Sequence, residues 1–152
     1  MSLDDDIAFF ERVPTFAVLG KQALRILAIG AETRQLPSGA VLFYAGELAD
    51  GGYVVQEGAL VLEPNSALSD EQFIAGPGTL VSERALFTET VCSSTAIARG
   101  QTVVIRISRS LFRKMMEGYP DAAEKLRDMM GERVGSWMRE LDKVKRTLEK
   151  RK

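Results

Sequence analysis

The chain has 152 residues, of which 45% are hydrophobic and 27% are charged, and a single domain of this size can bury a core without disulfide or metal support. Its 20 basic and 21 acidic residues leave a formal charge of −1, so it lacks the basic excess of a general nucleic-acid binder. It contains no histidine and one cysteine, Cys92, which removes the commonest general base and metal ligand and any intramolecular disulfide. We therefore expect neither an enzyme nor a metal site. Because no apolar stretch is long enough for a membrane span and the N-terminus is acidic, we expect a cytoplasmic protein.

Short helices are predicted before about residue 32. Ile7, Phe10 and Val13 precede Pro14, and a second apolar run with mixed helical spacing ends near Leu27. Residues 36–39, with the sequence LPSG, then supply turn chemistry. Beyond this turn the sequence changes to β-type runs.

Short apolar runs separated by glycine and asparagine occupy residues 40–107. The predicted strands are Ala40–Tyr44, Tyr53–Glu57, Ala59–Glu63, Gln72–Ala75, Ser94–Arg99 and Val103–Ile107. Most of them have no helix-length connection between them, which is typical of an antiparallel sandwich, jelly roll or barrel. The predicted fold class is mostly β: an antiparallel β-roll or jelly roll with short N-terminal helices, a short internal helix and a long C-terminal helix.

Three further helical segments are predicted within and after the strands. Residues 79–88 follow a breaker cluster, GPG at 76–78, and predict one or two helical turns between strands. Ser108 is a predicted N-cap for a helix over Leu111–Glu117, and Pro120 opens a last helix.

The last helix carries an apolar stripe with spacings of 4, 3, 4, 3 and 4 residues, a pattern that favours packing on a partner helix. Its members, the predicted dimer interface, are Met130, Val134, Trp137, Leu141, Val144 and Leu148. We expect a homodimer, with residues 1–120 as the roll domain and residues 121–152 as the dimerisation helix. Packing of the stripe on its own domain is the alternative. Six of the last ten residues are basic, which favours a solvated helix end over a nucleic-acid contact.

Three segments of the β region occur in the order and spacing of a known family's motifs. Leu36–Glu47 (LPSGAVLFYAGE) is similar to a PAGEVIFREGD strand pair, and Gly52–Leu62 (GYVVQEGALVL) is similar to an LYxVxxGxVxV hairpin. Gly78–Phe87 (GTLVSERALF) falls on a phosphate-binding cassette, GxFFGELALL. Residues 8–140 thus resemble the cyclic-nucleotide-binding domain, the ligand module of catabolite-activator-type regulators, cyclic-nucleotide-dependent kinases and gated channels.

The resemblance implies a site at which backbone N–H groups and a cation bind a phosphate while a carboxylate binds a ribose 2′-hydroxyl. The start of the short helix would supply N–H groups and the positive end of a helix dipole. Glu83 matches the family glutamate, but the phosphate-binding arginine falls on Cys92 and the glycine before the glutamate is Ser82. Loss of the arginine would weaken binding by roughly 10- to 150-fold. The implied ligand-binding residues are Ser82, Glu83, Arg84, Ala85, Cys92, Ser93 and Thr95.

Several of these residues have a plain structural alternative. Arg84 could replace the missing cation or lie exposed to solvent, and Ser93 with Thr95 could donate hydroxyls. Glu83 could persist as a carboxylate at a helix start without any ligand. Cys92 is expected to be a small, partly buried residue rather than a redox sensor, since no lysine or arginine lies within two positions to lower its pKa.

These patterns together predict a regulatory ligand-sensing module. It would bind a cyclic nucleotide weakly, or another small anion, and relay occupancy to the C-terminal helix. The alternative is a dimeric scaffold or docking module that has lost its ligand. A resident cofactor is not expected. Besides a second copy of the chain, the expected partner is an unidentified effector protein. A helix-turn-helix DNA reader would need about 60 further residues after the dimer helix, so no DNA-binding domain is expected.

Overall fold

The computed structural model describes residues 2–64 and 72–131, in which helices precede and follow the strands along the chain. Two helices come first, α1 (Leu3–Glu11) and α2 (Lys21–Gly30). The strands of the described ranges are β1 (Glu32–Leu36), β2 (Val41–Phe43), β3 (Gly52–Pro64), β4 (Phe73–Ala75), β5 (Leu80–Val81) and β6 (Ser94–Ile107). A 3₁₀ helix (Glu83–Leu86) lies between β5 and β6, α3 (Arg109–Gly118) follows β6, and residues 120–131 are again helical.

Two of the helices begin at side-chain caps. Ser2 Oγ accepts a hydrogen bond from the Asp5 N–H at 3.2 Å, and Asp5 Oδ2 accepts one from the Ser2 N–H at 3.3 Å, which is a capping box. At the start of α3, Ser108 Oγ accepts from the Leu111 N–H at 3.1 Å. The predicted N-cap is thereby confirmed.

All strand pairs of the described sheet are antiparallel, and two long strands organise it. The strand order is β1-β6-β3-β4, with β2 also paired to β6 and β5 also paired to β3. The first half of β6 pairs with β2 and its second half with β1, while β3 pairs first with β5 and then with β4. Long strands that change partner along their length wrap the sheet into a roll. The predicted fold class is confirmed.

The prediction of separate strands on either side of Gly58 is wrong, because β3 runs through that residue. Gly58 has φ +78°, and a Cβ there would lie 2.4 Å from the Gln101 carbonyl oxygen. The register against β6 shifts on both sides of Glu57, so the glycine forms a bulge rather than a turn. In the same way, the predicted strands Ser94–Arg99 and Val103–Ile107 are one strand, β6, which continues through Gly100 at φ +73°.

Two strands are missing from the sequence prediction. Strand β1 has the sequence ETRQL and lies mostly exposed beside β6, so it carries no apolar alternation. Strand β5 is only two residues long and pairs with the start of β3. It lies within residues 79–88, where the sequence predicts helical turns, and the helical prediction is wrong for its two residues.

Two hydrophobic clusters pack the described residues. The first, called the helical core here, joins α1, α2 and α3 to the sheet through Val54, Ile105 and Ile107, and it includes Leu86 of the 3₁₀ helix. The second, called the roll core here, lies inside the roll. Its buried members are Phe43, Tyr53, Val55, Leu60, Ala75, Val81, Cys92, Ala96 and Val104.

The last predicted helix is described only as far as residue 131. Met130 is half-buried and packs against the helical core, so this member of the predicted stripe contacts its own domain. The other members, Val134, Trp137, Leu141, Val144 and Leu148, lie outside the described residues. None of the helices in the described ranges combines the length and the apolar character that crossing a membrane requires.

Candidate functional site

The predicted cassette is a tight turn followed by a single 3₁₀ turn. Ser82 follows β5, and the 3₁₀ helix Glu83–Leu86 begins at the next residue. The Ala85 N–H donates to the Ser82 carbonyl at 3.0 Å. Ala85 and Leu86 are buried and anchor the turn. Four residues of 3₁₀ helix carry little macrodipole, so the dipole expected from the sequence contributes little. An anion at the cassette would be bound mainly by backbone N–H groups.

Ser82 has a backbone conformation that residues with a Cβ avoid. Its φ and ψ are 61° and 41°, and within the described ranges it is the only non-glycine residue with positive φ. The left-handed region costs such a residue roughly 1–2 kcal/mol, a cost that glycine escapes. The turn therefore favours glycine at this position for backbone reasons that are independent of any ligand.

Glu83 is tied to the segment that connects α1 to α2. Its Oε2 accepts a hydrogen bond from Thr15 Oγ1 at 3.0 Å, and Thr15 is buried. The carboxylate therefore holds the cassette against the N-terminal helices. Binding of a ribose hydroxyl by Glu83 stays a prediction.

Arg84 lies on the outer face of the 3₁₀ helix. Its side chain is exposed and forms no ion pair with any residue that the structure describes. This placement corresponds to the solvent-exposed alternative. A role for Arg84 as a substitute cation stays a prediction.

Cys92, at the position implied for the phosphate-binding arginine, lies in the roll core and is 5% exposed. Its N–H donates to the Glu47 carbonyl at 2.7 Å, and its carbonyl accepts from the Gly46 N–H at 2.8 Å. Burial raises the pKa of the thiol, and the negative charges of Glu47 and Asp50 raise it further. A protonated, buried thiol fits a packing residue rather than a redox sensor. The same two carboxylates disfavour an anion beside Cys92.

Thr95 and Ser93 differ in their surroundings. Thr95 Oγ1 accepts a hydrogen bond from the Ala45 N–H at 2.9 Å, so this hydroxyl fastens the loop after β2 to the start of β6. Ser93 is exposed. Their roles in ligand binding stay predictions.

The two halves of the predicted site border the same apolar interior. Val81, the residue before Ser82, and Cys92 both belong to the roll core. The rings of Phe43 and Tyr53 occupy this interior as well, with their centroids 5.8 Å apart. A ligand entering from the cassette would meet these side chains.

A polar cluster that the sequence analysis does not single out joins three strands at one end of the roll. It consists of Glu32, Arg34, Asp50, Tyr53 and Arg106. In the strand register Arg106 lies beside Glu32 on one side and Tyr53 on the other. Tyr53 Oη donates to Asp50 Oδ1 and accepts from Arg34 Nη1 at 3.2 Å. Arg106 Nε lies 3.4 Å from Asp50 Oδ2.

Burial and the bond to Asp50 raise the pKa of Tyr53 to about 12. Burial alone would raise the pKa of Asp50, but the Tyr53 hydrogen bond and the charges of Arg106 and Arg34 lower it overall. The neutral phenol and the charged carboxylate are thus the native forms of this pair. The sequence signal for the cluster is the spacing of Glu32 and Arg34, which are two positions apart. This spacing places them on one face only if the segment is a strand, and the sequence does not predict β1.

Comparison with known proteins identifies the family. The family model described as the cyclic nucleotide-binding domain matches residues 33–119, which is more than half of the chain. The matched region extends from within β1 to the end of α3. The chain belongs to the cyclic nucleotide-binding domain family.

Individual relatives fit this assignment. The chain is 37% identical to a cyclic nucleotide-binding-like protein from Brucella abortus of known structure, with a TM-score of 0.67 over 75% of this chain and 99% of that one. It is 27% identical over 131 residues to the cyclic AMP receptor protein of Thermus thermophilus, which is 85% of this chain and 61% of that protein. The N-terminal domain of a transcriptional regulator from Streptomyces coelicolor shares the fold, with 23% identity and a TM-score of 0.80 over 88% of this chain and 94% of that one.

The chain is shorter than the full-length relatives. It spans 34% to 61% of the length of a receptor protein and two cyclic nucleotide-gated potassium channels that it matches. These relatives are regulators and channels rather than enzymes.

Proposed function

We propose that the chain is a regulatory ligand-sensing domain that binds a cyclic nucleotide weakly, or another small anion, at the cassette. Occupancy is relayed to the helices that follow the roll. Membership of the cyclic nucleotide-binding domain family supports the ligand class. The observation that carries the weak affinity is the setting of Cys92, an uncharged and buried side chain where the family resemblance places an arginine.

Two electrostatic effects lower the affinity for a phosphodiester. A charge-assisted hydrogen bond contributes roughly 1.5–3 kcal/mol, and Cys92 cannot supply one. Burial raises the pKa of Cys92, and the charges of Glu47 and Asp50 raise it further, so a further negative charge beside this residue is disfavoured. With Arg84 exposed to solvent, the cyclic phosphate is left mainly with backbone N–H groups.

The proposed relay follows the packing of the cassette on α3. The ring of Phe87, directly after the 3₁₀ helix, meets the ring of Phe112 edge-on at 5.3 Å. Phe112 in turn lies 6.3 Å from the ring of Phe16, and Leu86 shares the helical core with both. Movement of the cassette on ligand capture would therefore displace α3 and the helical core together, since packed interiors transmit shifts rather than absorb them.

The proposed output is a homodimer formed by residues 121–152 beside the roll domain of residues 1–120. It rests on the apolar stripe, of which Met130 alone is described. An aspartate at Leu141 would place two carboxylates in the centre of the paired stripe, and such burial is costly. In sedimentation experiments we expect the parent to be a dimer and Leu141→Asp a monomer with a folded roll. A parent that sediments as a monomer, or a variant that stays dimeric, would refute an interface on the stripe.

A ligand-free scaffold is the second candidate. Two observations favour it: the Phe43 and Tyr53 rings lie in the roll interior, and Glu83 is engaged with Thr15. A scaffold with the same fold would bind no cyclic nucleotide at any concentration tested.

Isothermal titration with cyclic AMP and cyclic GMP separates these functions. We expect the parent chain to bind at roughly tens of micromolar or weaker, and Cys92→Arg to bind at least about tenfold more tightly. Val91→Arg is the matched control, because it adds the same charge one residue away at an exposed position and should give no gain. A thermal melt of each variant establishes that the added arginine is tolerated.

The two remaining outcomes are distinct. A sub-micromolar constant for the parent would refute the weakened cassette. Absence of binding by both the parent and a folded Cys92→Arg variant would support the scaffold.

A further inference from the structure

A cavity of about 300 Å³ opens between the loop before β3 and the start of α3. Its charged and polar lining consists of Asp50, Arg106, Ser108, Arg109, Ser110 and Arg113. None of the residues implied in the cassette site lines this cavity, called the arginine cavity here. Three guanidinium groups thus converge on a space that the proposed function does not use.

Arg106 is a cation fixed at the back of the arginine cavity. Its side chain is 22% exposed and lies within ion-pair distance of Asp50 at 3.4 Å and of Glu32 at 3.6 Å. Its Nη2 donates to the Asp50 carbonyl, while its Nε is buried without a hydrogen-bond partner in the described ranges. The charge of Arg106 is therefore paired with these carboxylates, and most of its donors already face protein oxygens.

Arg109 and Arg113 supply donors that are not committed to buried partners. Arg109 Nη2 lies 3.6 Å from Glu89 Oε1, but the Glu89 side chain is 84% exposed, so water competes effectively for that pair. Arg113 is exposed and takes part in no ion pair with the described part of the chain. The two residues are four positions apart on α3, which places them on one face of the helix.

The start of α3 lacks the acidic residues that a helix N-terminus favours, as does the start of α2 at Lys21. Helix α1 has three aspartates in its first turn, as the positive end of a helix favours. Helix α3 has no acidic residue in its first turn and begins with Arg109, so positive charges face each other there. An anion in the cavity would relieve this repulsion.

We propose that the arginine cavity binds a small phosphate-bearing anion through Arg109 and Arg113, beside the ion pair of Arg106 and Asp50. The planar guanidinium fork matches the oxygens of a phosphate group. The volume lies at the lower end of the range for ligand pockets, which suits a diphosphate or a small phosphate monoester. Asp50 lines the same cavity and opposes the anion, but its charge is already paired with Arg106.

The test is titration of sodium pyrophosphate into the full chain at low ionic strength. We expect saturable binding with a dissociation constant below about 1 mM, and a loss of about tenfold or more in Arg113→Gln and, separately, in Arg109→Gln. Arg113 is exposed, so its variant is expected to fold, and a denaturation curve verifies this. Arg25→Gln, an exposed arginine on α2, is the matched control for loss of one positive charge and should bind as the parent does.

Loss of affinity in Arg109→Gln and Arg113→Gln separates this cavity from the cassette, since neither residue belongs to the implied cassette site. The proposal is overturned if the parent shows no saturable binding of pyrophosphate up to about 10 mM. It is equally overturned if Arg25→Gln loses as much affinity as Arg113→Gln.

Discussion

The cassette and the arginine cavity are built in opposite ways. The cassette is held by apolar packing of Leu86 and Phe87 against the helical core, and the uncharged Cys92 lies in the roll core. In the arginine cavity, Arg106 and Arg109 take part in partly exposed ion pairs, while Arg113 forms none with the described residues. In this chain the position implied for the phosphate-binding arginine is Cys92, whereas Arg109 and Arg113 lie on α3 and share a cavity with Leu86 and Phe87.

This difference has consequences for stability. Packing inside a core depends little on salt or pH, whereas a partly exposed polar cluster depends on both. Substitutions near the cassette should therefore change the free energy of unfolding at any pH. Substitutions in the polar cluster that borders the arginine cavity should have effects that depend on pH.

The largest effect is expected from Phe112→Ala. Phe112 is fully buried and joins the cassette aromatic Phe87 to Phe16, and truncation of a buried phenylalanine costs about 3–5 kcal/mol. Urea unfolding measures the loss. Phe73→Ala, at a position 64% exposed, is the control and should change stability by less than about 0.5 kcal/mol. Equal effects of the two substitutions would show that the cassette is not anchored through Phe112.

A smaller and pH-dependent effect is expected from Tyr53→Phe. The variant loses the hydrogen bond to Asp50, and we expect a loss of about 1 kcal/mol at neutral pH because Asp50 is partly exposed. The pKa of Tyr53 is raised from 10.0 to about 12 by folding, so its contribution is complete below pH 10 and is lost as the pH rises toward 12.

Urea midpoints at pH 8, 10 and 11 test this expectation. The difference in urea midpoint between the parent and Tyr53→Phe should decrease as the pH rises from 8 to 11. Tyr44→Phe, which changes an exposed tyrosine, should follow the parent at every pH. A difference that stays constant with pH would mean that the Tyr53–Asp50 pair does not titrate as described.

The smallest effect is expected from Ser82→Gly. Glycine removes the cost of the left-handed backbone but adds entropy to the unfolded chain. The free energy of unfolding should therefore rise by at most about 1 kcal/mol. Thermal unfolding should show an equal or slightly higher midpoint. A clear decrease would indicate that the Ser82 side chain makes a contact that stabilises the turn.

Sequence patterns predict the roll and the cap at Ser108, because apolar runs, breakers and capping residues act locally, and the family resemblance implies the position of the cassette. They do not predict that β3 continues through Gly58, since a bulge and a turn both require glycine and only pairing with β6 distinguishes them. Strand β1 is polar and mostly exposed, so it is defined by its partner rather than by its own pattern.

The candidate sites also combine features that are local in the sequence with features that depend on distant residues. The cassette is a continuous segment, so its position can be predicted from the sequence, whereas the bond from Thr15 to Glu83 joins residues 68 positions apart. Arg109 and Arg113 show their helical spacing in the sequence. Their approach to Asp50 and Arg106 depends on how the end of β6 meets the loop before β3.

The most direct test of the central claim is a ¹H–¹⁵N spectrum of the full chain titrated with cyclic AMP. The account predicts that the amides of Ser82–Ala85 shift and that amides of α3 around Phe112 shift along the same binding curve. Shifts confined to Arg109 and Arg113, or no shift at millimolar nucleotide, would contradict ligand sensing at the cassette.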